Sequence, residues 1–142
     1  MFHKILFAHD GGMLAERVLV YLEHMARVEE AEVIVLHVYD LPERYATTDG
    51  YEALQEQYKA VAQEVIDDAV AYLEEQEVSA RGFIVSGDCA RAILEVADRE
   101  EAGLIVMGSR GMTNRSPIAD LVLGNVAQEV LRHAHCPVLV VP

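Results

Sequence analysis

Short runs of β-branched residues alternate along this chain with longer segments in which apolar residues recur every three or four positions. The short runs are typical of buried strands, and the longer segments are typical of amphipathic helices. The predicted strands are residues 4–9, 32–38, 81–86, 104–107 and 138–141. The predicted helices are residues 13–29, 52–76, a segment between Asp88 and Gly103, and 125–134. Strands that alternate with helices in this way predict a parallel sheet.

No internal repeat, low-complexity tract or linker interrupts the 142 residues. Successive strand–helix units of one compact chain wind into a single sheet through right-handed crossovers. We therefore expect one doubly wound α/β domain, residues 1–142, with a five-stranded parallel sheet and helices on both faces.

The balance of charge narrows the classes of partner. Asp and Glu number 24 against 11 Lys and Arg, which gives a formal net charge of −13. A charge of this sign repels nucleic-acid backbones and anionic membranes. The apolar runs are far shorter than the roughly 20 residues that cross a bilayer, and the first residues lack the pattern of a signal peptide. We expect a cytoplasmic protein with no nucleic-acid binding and no membrane insertion.

Reactive side chains are sparse and poorly spaced for catalysis. Cys89 and Cys136 lie far apart, which favours two free thiols in a reducing compartment. The six histidines, including His9 and His37 near the ends of two strands, lack the spacing typical of a metal site. No lysine follows a glycine, so the chain has no P-loop. Rapid phosphoryl transfer is not expected, although slow hydrolysis of bound ATP stays open.

Two loops are candidates for a binding site, because doubly wound sheets bind ligands beyond the carboxyl ends of their strands, where the winding reverses. The first loop is Asp10-Gly11-Gly12, which follows the first strand. Its glycines let the backbone approach a ligand, and its carboxylate offers hydrogen-bond acceptors. A simple strand-to-helix turn explains the same residues equally well.

The loop after the fourth strand is the stronger candidate. Gly108-Ser109-Arg110-Gly111 follows that strand directly, and Gly124-Asn125 opens the last helix. Glycine N–H groups, a helix N-terminus and an arginine together favour an anion. This connection, residues 108–123, is much longer than the usual 2–6 or so residues. Asn125 with Gln128 also resembles a capping box, so Gly124-Asn125 can be interpreted as a helix start alone.

Several segments together resemble the universal stress protein family over the whole chain. They are Ile5-Leu6-Phe7-Ala8-His9-Asp10-Gly11, Val35-Leu36-His37-Val38, Ser86-Gly87-Asp88, Leu104-Ile105-Val106-Met107-Gly108-Ser109-Arg110-Gly111 and Cys136-Pro137-Val138-Leu139-Val140-Val141. The resemblance implies the strand order 3-2-1-4-5. The nucleotide-binding branch of the family carries Gly-x-x-Gly, then nine residues, then Gly-Ser or Gly-Thr. Here residues 112–123 separate Gly111 from Gly124, and Asn125 stands in place of the hydroxyl residue.

The same resemblance implies a site for ATP or another adenine nucleotide, with or without Mg2+. Asp10 would contact the ribose or the base, and the Val38 backbone would bind the adenine edge. The residues implied for phosphate binding are Gly108, Gly111, Gly124 and Asn125. Ala8, Met107, Arg110 and Val126 complete the predicted nucleotide site.

The resemblance also implies a regulatory protein that forms a homodimer through the strand at residues 138–141. The regulated partner is unidentified. We expect binding of the nucleotide, rather than its turnover, to be the function. Two alternatives stay open: a stress protein that acts through protein contacts without a nucleotide, and a slow ATPase.

Overall fold

The computed structural model describes residues 1–41, 46, 49–109 and 123–142. Strands and helices alternate along these residues, as the hydrophobic pattern predicts. The elements are β1 (Lys4–Ala8), α1 (Ala15–Glu29), β2 (Glu32–Tyr39), α2 (Tyr51–Glu75), β3 (Ala80–Ser86), α3 (Cys89–Arg99), β4 (Leu104–Gly108), α4 (Asn125–His133) and β5 (Val138–Val141).

The five strands form one parallel sheet in the order β3-β2-β1-β4-β5. The predicted doubly wound α/β fold and its strand order are therefore confirmed. β1 lies at the centre of the sheet, and β3 and β5 lie at its edges.

Both faces of the sheet are covered, which explains why the buried positions of its central strands form continuous apolar runs. Ile5 and Phe7 of β1 pack in the hydrophobic cluster beneath α1 and α2. Leu6 lies in the opposite cluster, beneath α3 and α4. Successive side chains of a strand point to opposite faces, so each strand contributes to both layers of the core.

Several element boundaries differ from the predicted ones. β1 ends at Ala8 instead of residue 9, and α1 begins at Ala15 instead of residue 13. α3 ends at Arg99, before the predicted stop at Gly103, because Glu101 adopts a left-handed conformation with φ of 56°. The Gly103 N–H instead donates to the carbonyl of Lys4, which leads the chain into the sheet.

In the described ranges, none of the helices combines the length and the apolarity that crossing a bilayer requires.

Candidate functional site

The winding of the sheet reverses between β1 and β4. The chain passes from β1 to β2 and β3 on one side, then crosses back to β4 on the other side of β1. Ala8 lies opposite Met107 in the register of these two strands. The loops after the first and fourth strands therefore leave the sheet side by side, as predicted, at the position where such folds bind ligands.

Asp10 shapes the loop after β1 with its own side chain. The Gly12 N–H donates to Asp10 Oδ1 at 2.8 Å, which forms an Asx-turn. Gly11 has φ of 79°, a conformation that side chains disfavour. The Gly12 carbonyl then accepts from the Ala15 N–H at 3.2 Å and leads the chain into α1. The turn uses one carboxylate oxygen of Asp10, and no described residue donates to the other.

Two histidines hold the end of β1, a role that sequence reasoning missed. The Gly11 N–H donates to His9 Nδ1 at 2.9 Å, and His37 Nδ1 lies 2.8 Å from the His9 carbonyl oxygen. A peptide N–H can only donate and a carbonyl can only accept, so His9 carries its proton on Nε2 and His37 carries one on Nδ1. The only signal in the sequence was that both histidines end or follow strands that neighbour each other.

Burial lowers the pKa of His9 from its ordinary value of 6.5. The Asp10 carboxylate acts against this change, and His37 adds to it. Desolvation disfavours the charged imidazolium, so His9 is neutral in this arrangement. Within the described ranges, no group of three or more His, Cys, Asp or Glu residues could hold a metal ion.

The backbone of Val38 faces a gap left by the end of β1. The ladder between β1 and β2 ends where the His9 N–H donates to the Leu36 carbonyl at 2.8 Å. Alternate residues of a strand present their N–H and C=O groups to the same neighbour, so the Val38 groups also face the β1 side. The His9 carbonyl is the next acceptor in this direction, and the bond recorded at it comes from His37 Nδ1. No described residue accepts from the Val38 N–H.

Gly124 joins the start of α4 to the end of β4. Its N–H donates to the Ser109 carbonyl at 2.8 Å, and the Ser109 N–H donates to Val141 at 2.9 Å. The Gly124 amide is therefore engaged inside the protein. The groups that could bind an anion here are those of the first turn of α4, whose N–H groups have no partner within the helix.

The capping-box interpretation of Asn125 and Gln128 is wrong. Gly124 is the N-cap of α4, and no side chain caps this helix among the described residues. Gln128 Nε2 instead donates to the Leu123 carbonyl at 2.6 Å. Glycine has no side chain to satisfy the N-terminal amides, and no described residue accepts from those of Asn125 and Val126.

The remaining described candidates differ in what they can offer. The Met107 side chain is buried beneath α3 and α4, and Ala8 and Val38 are partly buried against the same cluster. Met107 can therefore shape the floor of a site but has little side chain to present. Two predicted site residues, Arg110 and Gly111, lie outside the described residues.

A groove of about 440 Å³ runs beside the site, between α3 and α4. Asn125 and Val126 form one wall, and Cys89 and Leu94 lie in the other. Its rim carries the carboxylates of Asp88, Glu95, Asp98 and Glu129. Burial, assisted by Asp88 and Asp10, raises the pKa of the Cys89 thiol to about 11. This thiol is consequently a weak nucleophile near neutral pH.

Comparison with known proteins identifies what this arrangement resembles. The sequence pattern of the Universal stress protein family matches residues 1–142. The universal stress protein MJ0531 of Methanocaldococcus jannaschii is 32% identical over 99% of this chain and 82% of its own length. The structure of MJ0577, from the same organism, superposes with a TM-score of 0.87 at 30% identity and covers 99% of this chain and 96% of its own.

A third similar protein carries a ligand. The universal stress protein from Archaeoglobus fulgidus, solved in complex with dAMP, is 25% identical to this chain with a TM-score of 0.72. The match covers 99% of this chain and 98% of that protein.

Proposed function

Because this chain belongs to the universal stress protein family, we propose that it binds an adenine nucleotide, ATP or AMP, at the carboxyl edge of β1 and β4. Binding, rather than a reaction, is the function: the nucleotide state is read by a protein partner in the stress response. We also propose a cytoplasmic location, which the free thiols of Cys89 and Cys136 support.

The observation that carries the proposal is the Val38 backbone. Its N–H and C=O groups face the gap beyond β1, and no described residue accepts from that N–H. The Watson–Crick edge of adenine presents one acceptor and one donor side by side, which matches an adjacent peptide donor and acceptor. A partly buried backbone donor without a partner is costly, and a base bound there would remove that cost.

The two flanking features fit the rest of a nucleotide. The second carboxylate oxygen of Asp10, to which no described residue donates, can accept from ribose hydroxyls. The first turn of α4 presents peptide N–H groups and the positive end of the helix dipole to a phosphate. Arg110 and Gly111 follow β4 directly in sequence, and we assign them to phosphate binding as well.

The dAMP complex of the Archaeoglobus fulgidus relative supports the ligand class. That protein shares the fold and a quarter of its residues with this chain. An adenine nucleotide is accordingly the ligand to test first, and Mg2+ would offset the negative charge of a triphosphate in an acidic protein.

Isothermal titration with AMP, ATP and cyclic AMP, each with and without Mg2+, tests the proposal. We expect heat of binding with at least AMP or ATP. The Val38 amide should also become protected from hydrogen exchange when AMP is added, because it donates to the base. No heat with any of the three nucleotides would overturn the proposal and favour a protein that acts through protein contacts alone.

A pair of variants tests how much the Val38 N–H contributes to nucleotide affinity. Val38→Pro removes the N–H that faces the gap, and Val38→Ala keeps it while shortening the side chain. We expect the proline variant to lose roughly tenfold in affinity, the worth of one hydrogen bond to a ligand, and the alanine variant to lose much less. Equal affinities for the two variants would contradict the assigned base contact.

A further inference from the structure

The two histidines at the end of β1 are held in opposite tautomers. His9 accepts at Nδ1 from the Gly11 N–H, at 2.9 Å. His37 donates from Nδ1 to the His9 carbonyl, at 2.8 Å. The His9 ring also packs on Phe7 with centroids 5.1 Å apart, so its orientation is fixed from a second side.

Because of these bonds, protonation has a different consequence for each ring. His37 already carries a proton on Nδ1, so a second proton on Nε2 leaves its bond to the His9 carbonyl intact. His9 can gain a proton only at Nδ1, the atom that accepts from Gly11. Protonation of His9 therefore abolishes this bond and turns an acceptor into a second donor facing the Gly11 N–H.

We propose that neutral His9 is a positioning residue for the nucleotide site, and that protonation of its imidazole releases the Asp10-Gly11-Gly12 turn and weakens nucleotide binding. This inference rests on the proposed function, because it assigns a control by pH to that same site.

The path from His9 to the site is short. Gly11 holds φ of 79° between the two residues that close the Asx-turn, Asp10 and Gly12. Loss of the Gly11 bond frees this peptide to rotate, and the turn that orients the Asp10 carboxylate loses its anchor. The imidazolium would also attract the Asp10 carboxylate, and it would then compete with the ribose for that carboxylate.

The surroundings of His9 set the pH at which its imidazole is protonated and the turn is released. Among the described residues, the titratable groups that act on His9 are Asp10, in the same loop, and His37, on β2, and no charged group of α1 or α2 does so. Burial outweighs the attraction of Asp10, so the pKa of His9 lies below 6.5. The site is therefore intact at neutral pH and is released as the pH falls through this lowered value.

The tautomers can be tested without any nucleotide. Long-range nitrogen–proton correlation spectra of the free protein should show the Nε2–H form for His9 and the Nδ1–H form for His37. The Gly11 amide resonance should move with the same midpoint as the His9 ring during acid titration. The Nδ1–H form for His9, or a Gly11 amide that ignores the titration, would overturn the proposal whatever the protein binds.

Two variants separate positioning from mere packing. In His9→Asn, the side-chain oxygen can accept from the N–H two residues later, as asparagine does in Asx-turns, but it cannot titrate. His9→Leu keeps an apolar volume without an acceptor. We expect His9→Asn to bind AMP near the native affinity at about pH 7.5, and His9→Leu to bind at least roughly fivefold more weakly, because the partly buried Gly11 N–H loses its partner.

The pH profile completes the test. Between about pH 7.5 and pH 5, the native affinity for AMP should fall more steeply than that of His9→Asn, by up to about tenfold per unit below the pKa of His9. The phosphate of AMP titrates equally in both titrations, so their difference reports His9. Parallel profiles would overturn this proposal while leaving nucleotide binding intact, whereas no binding at any pH would overturn the proposed function and leave the spectra of the free protein to decide on His9.

Discussion

At the scale of single residues, the environment of a side chain decides its chemistry more than its type does. Cys89 is the first residue of α3, a position where the helix dipole ordinarily favours a thiolate. Here burial and the carboxylates of Asp88 and Asp10 outweigh the dipole and raise the pKa of the thiol to about 11. The sequence shows a cysteine at a helix start, and only its packing predicts that the thiol reacts slowly.

Alkylation of Cys89 in a Cys136→Ser variant should therefore be slow. Relative to an ordinary thiol of pKa 9.0, a pKa of about 11 lowers the thiolate fraction near neutral pH, and the rate with iodoacetamide should fall about 100-fold. The same protein unfolded in guanidinium is the control, because unfolding restores an ordinary thiol. A folded protein that reacts as fast as the unfolded one would show that Cys89 is not desolvated.

At the scale of elements, the close approach of α2 to the sheet depends on one glycine. Gly82 lies in the edge strand β3, directly beneath Ile66 of α2. A Cβ built at Gly82 would overlap Ile66 Cγ2. Glycine is unfavourable within a strand, and here the packing of the helix explains its presence.

Gly82→Ala should destabilise the protein by about 1–3 kcal/mol, the usual cost of overpacking a well-filled core. Urea unfolding measures this free energy. Ile66→Leu moves the branch away from Cβ, so Gly82→Ala should cost less in that background, as a double-mutant cycle would show.

Gly103→Ala is the matched control for this prediction. A Cβ at Gly103 would lie 3.6 Å from Phe2 Cδ1, an ordinary contact. The substitution should change the free energy of unfolding by less than about 1 kcal/mol. Equal losses in the free energy of unfolding for Gly82→Ala and Gly103→Ala would contradict the explanation by helix packing.

At the scale of the whole molecule, the outer edge of β5 can support assembly, because no described strand pairs with it. Pro137 and Val141 carbonyls accept from Ile105 and Ser109, so alternate residues of β5 face β4. Val138 and Val140 therefore present their N–H and C=O groups outward, at the edge of the sheet. Unpaired edges of this kind bind a second strand readily.

We expect a homodimer joined by pairing of the two β5 strands. Light scattering should give twice the 15.7 kDa of one chain. Val140→Pro removes an outward N–H without touching the ladder to β4, so it should shift the protein to monomer, whereas Val140→Ala should remain a dimer. A Val140→Pro protein that is folded and still dimeric would place the interface elsewhere.

Sequence pattern was sufficient for the fold because the periodicities of buried strands and amphipathic helices are local properties. The strand from Ile5 to Ala8 and the other strands and helices could be recognised without knowing what packs on them. Boundaries failed where a single peptide decides them, as at Glu101, which adopts a left-handed conformation before the chain reaches Gly103.

The features of the candidate site also divide into those that the sequence predicted and those that depend on the tertiary structure. Asp10, Gly108 and Gly124 were found from residue type and position after a strand, since glycine and acid are locally favoured there. The Val38 N–H, which only the family resemblance pointed to, has no acceptor among the described residues because of where β1 stops relative to β2. The tautomers of His9 and His37 depend on the same register, which no stretch of sequence records. Residues distant in the chain meet only after folding, so the sequence alone determined which elements form and where a site could lie. The tertiary structure decided which donors and acceptors remain unused there, because a hydrogen bond is satisfied or left open by its neighbours in space.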